Sequence, residues 1–157
     1  MSAVKSRQSK IFTVGYEQAK SDAVLRELAA ANIEILVDVR AVAASRRPGF
    51  SKRQLAAGLD EHGIGYLHLR ALGTPKEGRL AARAGKLDEL FRIFEAHLQT
   101  SPAREELDEL TAIVRSSRRV CLLCYERDVA HCHRRRVAEL VRERTGAAVE
   151  HLIPPLF

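Results

Sequence analysis

Val120-Cys-Leu-Leu-Cys-Tyr-Glu-Arg-Asp-Val-Ala-His-Cys-His-Arg-Arg-Arg136 is the stretch that decides how this chain folds. Val120 to Cys124 is an apolar run of strand length, and a polar loop follows it. The Cys132-His133-Arg134 cluster then opens an amphipathic helix over about 133–144, stopped by Gly146. A strand, a loop and a helix N-terminus in that order bring thiol, imidazole and guanidinium groups together. Unpaired N–H groups and the positive end of the helix dipole favour anions and thiolates there.

The same alternation repeats outward. Strands are expected at Ile11–Val14, Ile33–Val39, Ile64–Leu69, 119–125 and Ala148–Leu152. Between them fall helices at 21–31 with Ser21 as N-cap, from Ser51 (capping-box spacing to Gln54) to near Gly63, and at 86–99 and 103–116. Ser101 is the expected cap of the last, with Pro102 at its first helical position. Residues 76–85, dense in charge and interrupted by turn formers, read as a flexible excursion that could serve as a lid. Strands alternating with helices predict an α/β fold: a mainly parallel sheet of about five strands, helices on both faces, in one compact domain.

The 157 residues make one domain with a self-sufficient core, 1–157, of which 1–10 form a basic and flexible N-terminal segment. At 46% hydrophobic and 29% charged residues, the composition is that of a soluble globular protein. No apolar run approaches the roughly 20 residues that span a bilayer, so no membrane partner is expected. Three cysteines argue against a disulfide framework and for a reducing cytoplasm. The net charge of +6 admits a polyanion, either an anionic small molecule or nucleic acid. Homo-oligomerisation is left open.

In parallel sheets the loops leaving the C-terminal strand ends build the ligand site. That rule collects Tyr16 and Glu17, Asp38 and Arg40, His68, then Cys124, Tyr125, Glu126, Cys132, His133 and Arg134. Cys121 and Cys124 have zinc-site spacing, but three residues apart in one strand they face opposite ways, which leaves Cys121 as a core residue. Cys124, Cys132 and one of His131 or His133 are a candidate ligand set for zinc or iron. Cys132, at a helix start beside His133, is equally a candidate nucleophile or a plain packing residue. Glu17 and Glu126, each after a Tyr, are candidate acid and base. Arg40, Arg46, Arg47 and Arg134 are candidate anion binders. Asp38 shares a strand phase with Arg40 and could pair with it, and His68 reads as a sheet histidine lining the site.

Together these pieces resemble a bacterial and archaeal family, domain of unknown function 488. The resemblance is carried by Thr13-Val-Gly-Tyr-Glu17, Leu36-Val-Asp-Val-Arg40, Ser45-Arg-Arg-Pro-Gly-Phe-Ser-Lys52, Gly65-Tyr-Leu-His68, Leu72-Gly-Thr-Pro75, and Leu123-Cys-Tyr-Glu126 followed by Cys132-His-Arg134. It implies a single α/β domain in the cytoplasm and brings no reaction, substrate or cofactor. The expectation drawn from the residues is a small enzyme acting on an anionic, nucleotide-like ligand. The alternatives are a nucleic-acid-binding module and a Cys/His metal-binding regulator.

Overall fold

The computed structural model describes residues 9–156. Most of the basic segment expected at 1–10 lies outside them. Five parallel strands form one sheet: β1 (Lys10–Gly15), β2 (Ile35–Asp38), β3 (Gly65–His68), β4 (Val120–Cys124) and β5 (Ala148–Leu152), in the order β3-β2-β4-β1-β5. β4 and β2 are buried at every position, as their unbroken apolar runs require of central strands, while the polar-rich β3 and β5 are the half-exposed edges.

Six helices complete the fold: α1 (Ser21–Ala30), α2 (Lys52–Glu61), α3 (Lys76–Arg83), α4 (Leu87–Leu98), α5 (Ser101–Arg115) and α6 (His133–Thr145). Strand side chains alternate between two cores. Phe12, Val14, Leu36, Cys121 and Leu123 meet Val24 and Leu28 of α1 and Leu55 and Leu59 of α2. Ile11, Val37, Leu122 and Cys124 meet Phe94 of α4, Leu110 and Val114 of α5, and Val137 and Val141 of α6. Cys121 and Cys124 thus lie on opposite faces.

This layering locates the crevice. The chain leaves β1 and β2 toward the α1/α2 face and leaves β4, which sits between them, toward the α6 face. Adjacent strands whose connections part to opposite faces open a gap at their C-terminal ends, so the switch point lies above β4.

Several local expectations are corrected. Residues 76–85 are not a flexible excursion: 76–83 are α3, and its buried Gly78 leaves no room for a Cβ, which would stand 2.4 Å from Thr74 Cγ2. Ser21 and Ser101 are first helical residues, with Lys20 and Thr100 as caps. The capping box at Ser51 does not form, since Ser51 Oγ bonds Ser45 and Gln54 accepts from Gly49 N. The Asp38–Arg40 pair does form. Among the described residues no helix is long and apolar enough to cross a membrane.

Candidate functional site

The loop from Cys124 to α6 is bolted down at both ends. It passes so close to β1 that a Cβ on Gly15 would lie 1.8 Å from the Glu126 carbonyl oxygen. Glycine is obligatory there. Arg134, 1% exposed, reaches back from α6 and donates to Thr13 Oγ1 (3.1 Å), to the Glu126 carbonyl and to Arg127 O (3.3 Å). Glu17 accepts from Arg127 N (3.1 Å), and Arg127 Nη1 donates to Pro154 O (2.7 Å), which ties in the chain beyond β5. Cys132 caps α6 itself, its Sγ accepting from Arg134 N.

These ties place Cys124, Cys132 and His133 together, all buried, with their ligand atoms within 4.8 Å of one another. His133 Nε2 donates to Val39 O (2.8 Å), which leaves Nδ1 as the uncommitted nitrogen; Cys124 Sγ lies 3.5 Å from Nδ1 and 3.9 Å from Nε2. Phe94 packs edge-on against the imidazole, with ring centroids 5.2 Å apart, and fixes its plane. Cys124 Sγ also lies 3.3 Å from Glu126 Oε2.

Burial works against ionising Cys132, but the hydrogen bond from Cys124, the imidazole of His133 and the Arg134 charge hold its thiol well below the usual value. Burial, reinforced by the neighbouring Cys132 thiolate, keeps Cys124 protonated. His133 is raised despite its burial, because Cys132 favours the imidazolium. Burial, and then the Cys132 charge, push the Glu126 carboxyl up to about 7.

A cavity of about 870 Å³ opens above this cluster. Cys124, His133 and Glu126 form part of its wall together with Tyr16, Glu17, Arg40 and Tyr125. Cys132 stays behind that wall, 1% exposed. Most of the arginines picked out as anion binders are already engaged. Arg40 grips Asp38 with two side-chain bonds (2.9 and 2.7 Å) and donates to Tyr16 Oη and Phe50 O. Arg47 donates to the Tyr16 and Ala19 carbonyls and lies against the rings of Tyr16 and Phe50. Arg134 is spent on the loop, and Arg46 is exposed and away from the cavity. His68 bonds Arg40 O (2.7 Å), and Tyr66 donates to Asp38 (2.6 Å).

The sequence reading missed Arg79 and Arg83, which line the cavity from α3. Their i, i+4 spacing, which puts both on one helical face, was the available signal.

Fold and site define a doubly wound parallel α/β protein with a Cys/His/Glu cluster at its switch-point crevice. The chain belongs to the family of the domain of unknown function DUF488, whose family model matches residues 20–141, a span that holds Cys124, Glu126, Cys132 and His133. No curated protein and no solved structure matches it.

Proposed function

We propose that the protein is a metal-dependent enzyme. One tetrahedral ion, zinc or iron, is held by Cys124 Sγ, Cys132 Sγ and His133 Nδ1, and a small molecule is processed in the cavity above. The observation that carries this reading is the convergence of three buried donors within 4.8 Å. With bonds of about 2.3 Å to sulfur and 2.0 Å to nitrogen, a tetrahedral zinc separates its sulfur and nitrogen ligands by about 3.5 Å. Cys124 and His133 stand 3.5 Å apart. The Nε2–H bond to Val39 O is the backing a ligating histidine needs to present its other nitrogen.

Three protein ligands would leave a fourth position for water or substrate, the pattern of catalytic rather than structural zinc, and Cys124 and His133 line the cavity. An ion held there would supply Lewis acidity and lower the pKa of a water beside it. Glu126, on the cavity wall with Oε2 3.3 Å from Cys124 Sγ, would be the acid or base beside such an ion. Cys132, off the cavity wall, fits a ligand better than a nucleophile. Nucleic-acid binding has less support: the 134–136 run is no continuous basic face, with Arg134 buried, Arg135 beside Glu139 and Arg136 paired with Glu95, Glu139 and Glu143.

Cobalt(II) reconstitution of metal-free protein tests the reading. The expected spectrum is that of a tetrahedral ion with thiolate charge transfer, diminished in His133→Asn and retained in Glu126→Gln, which loses turnover. A six-coordinate spectrum without thiolate bands would overturn it.

A further inference from the structure

The cationic groups around the cavity divide sharply by what they are bonded to. Arg40, Arg47, Arg127 and Arg134 are each engaged by backbone carbonyls or a carboxylate of the protein itself. Arg79 and Arg83 are different. Both line the cavity, and among the described residues neither stands within ion-pair distance of a carboxylate. The Arg79 side chain is held through one nitrogen only, Nη1 donating to Thr74 O (2.9 Å), and the Arg83 side chain makes no hydrogen bond among the described residues. Thr74 is in turn buried and abuts Gly78, so the first of the two arginines starts from a fixed anchor. Two arginines one helical turn apart on a cavity wall, Arg79 half-buried and Arg83 exposed, have donors to spare for the several oxygens of a phosphate.

A second feature of the same cavity points to what the phosphate is attached to. Tyr125 follows Cys124 directly and is 44% exposed. Its ring is nonetheless fixed: Tyr16 meets it edge-on at 5.4 Å and 82°, and Tyr16 is itself stacked on Phe50 at 4.3 Å. An aromatic ring braced from one side and open on the other is a stacking platform for a planar group. The walls between carry apolar side chains, Val42, Leu87 and Leu90 among them. A volume of about 870 Å³ is ample for one nucleotide-sized molecule.

We propose that the cavity takes a nucleoside monophosphate, or a close relative with a planar base, its phosphate on Arg79 and Arg83 and its base on Tyr125. This rests on the reading of the cavity as the substrate site and names the substrate class for it. α3 then serves as the phosphate arm of the site.

Titration calorimetry of the natively purified protein with AMP, adenosine and ribose 5-phosphate tests it, with metal content read on the same samples. AMP should bind about 10- to 100-fold tighter than adenosine, as charge-assisted hydrogen bonds to phosphate imply. Arg79→Ala and Arg83→Ala should each erase most of that advantage while adenosine binding and bound metal stay unchanged. Tyr125→Ala should weaken AMP and adenosine and spare ribose 5-phosphate. Arg46→Ala, on the exposed loop outside the cavity, should change nothing. The proposal is overturned if AMP binds no tighter than adenosine, or if both arginine variants bind AMP as the wild type does. An ion-free wild type that still binds AMP refutes the metal centre alone. An ion-loaded wild type that ignores AMP refutes the nucleotide alone.

Discussion

Replacing Asp38 by alanine should remove a large share of the stability of this fold, and the size of the loss follows from its partners. The carboxylate is wholly buried, and Arg40 is 5% exposed. Oδ1 accepts from Arg40 N (3.1 Å) and Nε (2.9 Å), and Oδ2 accepts from Arg40 Nη2 (2.7 Å) and Tyr66 Oη (2.6 Å). Without Asp38 the guanidinium keeps only Tyr16 Oη and Phe50 O and carries its charge uncompensated in the interior. Breaking a buried pair from one side costs about 3–5 kcal/mol. Against a total of about 5–15 kcal/mol for a domain, that is about a fifth or more. Urea unfolding followed by circular dichroism reads the loss as a midpoint lowered by about 2 M at unchanged slope. Because two apolar groups of similar shape can replace a buried pair at little cost, Asp38→Ala with Arg40→Met should recover most of it. A single-substitution loss below about 1 kcal/mol would refute the reasoning, as would a double variant in which the two losses simply add.

Other outcomes follow from the same contacts. Gly15→Ala forces a Cβ into the Glu126 carbonyl, and overpacking of this kind costs about 1–3 kcal/mol; thermal unfolding should show it, together with a displaced loop and weakened metal retention. His151 accepts from or donates to Thr13 Oγ1 at 2.6 Å through Nδ1, and burial, then the Arg134 charge, lower its pKa below 6.5. The folded state therefore binds fewer protons than the unfolded chain below that value. Stability should be full above pH 6.5 and fall as pH drops through the lowered folded value, a slope that His151→Gln should flatten in urea titrations between pH 7 and pH 5.

Much of the architecture is written locally. Val120–Cys124 is apolar throughout because β4 is buried on both faces between β2 and β1, and Gly146 ends α6 in the left-handed conformation (φ +74°) that glycine favours. The strand-end rule brought Cys124, Glu126, Cys132 and His133 into one neighbourhood because the switch point really does lie above β4. Other features depend on partners distant in the chain. Arg134 reads as an anion binder until its acceptor Thr13, 121 positions away, is known. α3 reads as a loop because Pro75, Gly78 and its charges are turn signals, whereas Gly78 answers to the close approach of Thr74. Ser21 and Ser101 sit one residue past their caps, a shift that propensity alone does not resolve.

The measurement that bears most directly on the central claim is metal content, by mass spectrometry, of natively purified wild type beside Cys124→Ser, Cys132→Ser and Cys121→Ser. The account predicts about one zinc or iron per chain in the wild type, as a preformed three-donor site binds. Cys124→Ser and Cys132→Ser should lose the ion, while Cys121→Ser, on the opposite face of the sheet, should keep it. A metal-free wild type, or an ion that survives loss of either Cys124 or Cys132, would contradict it.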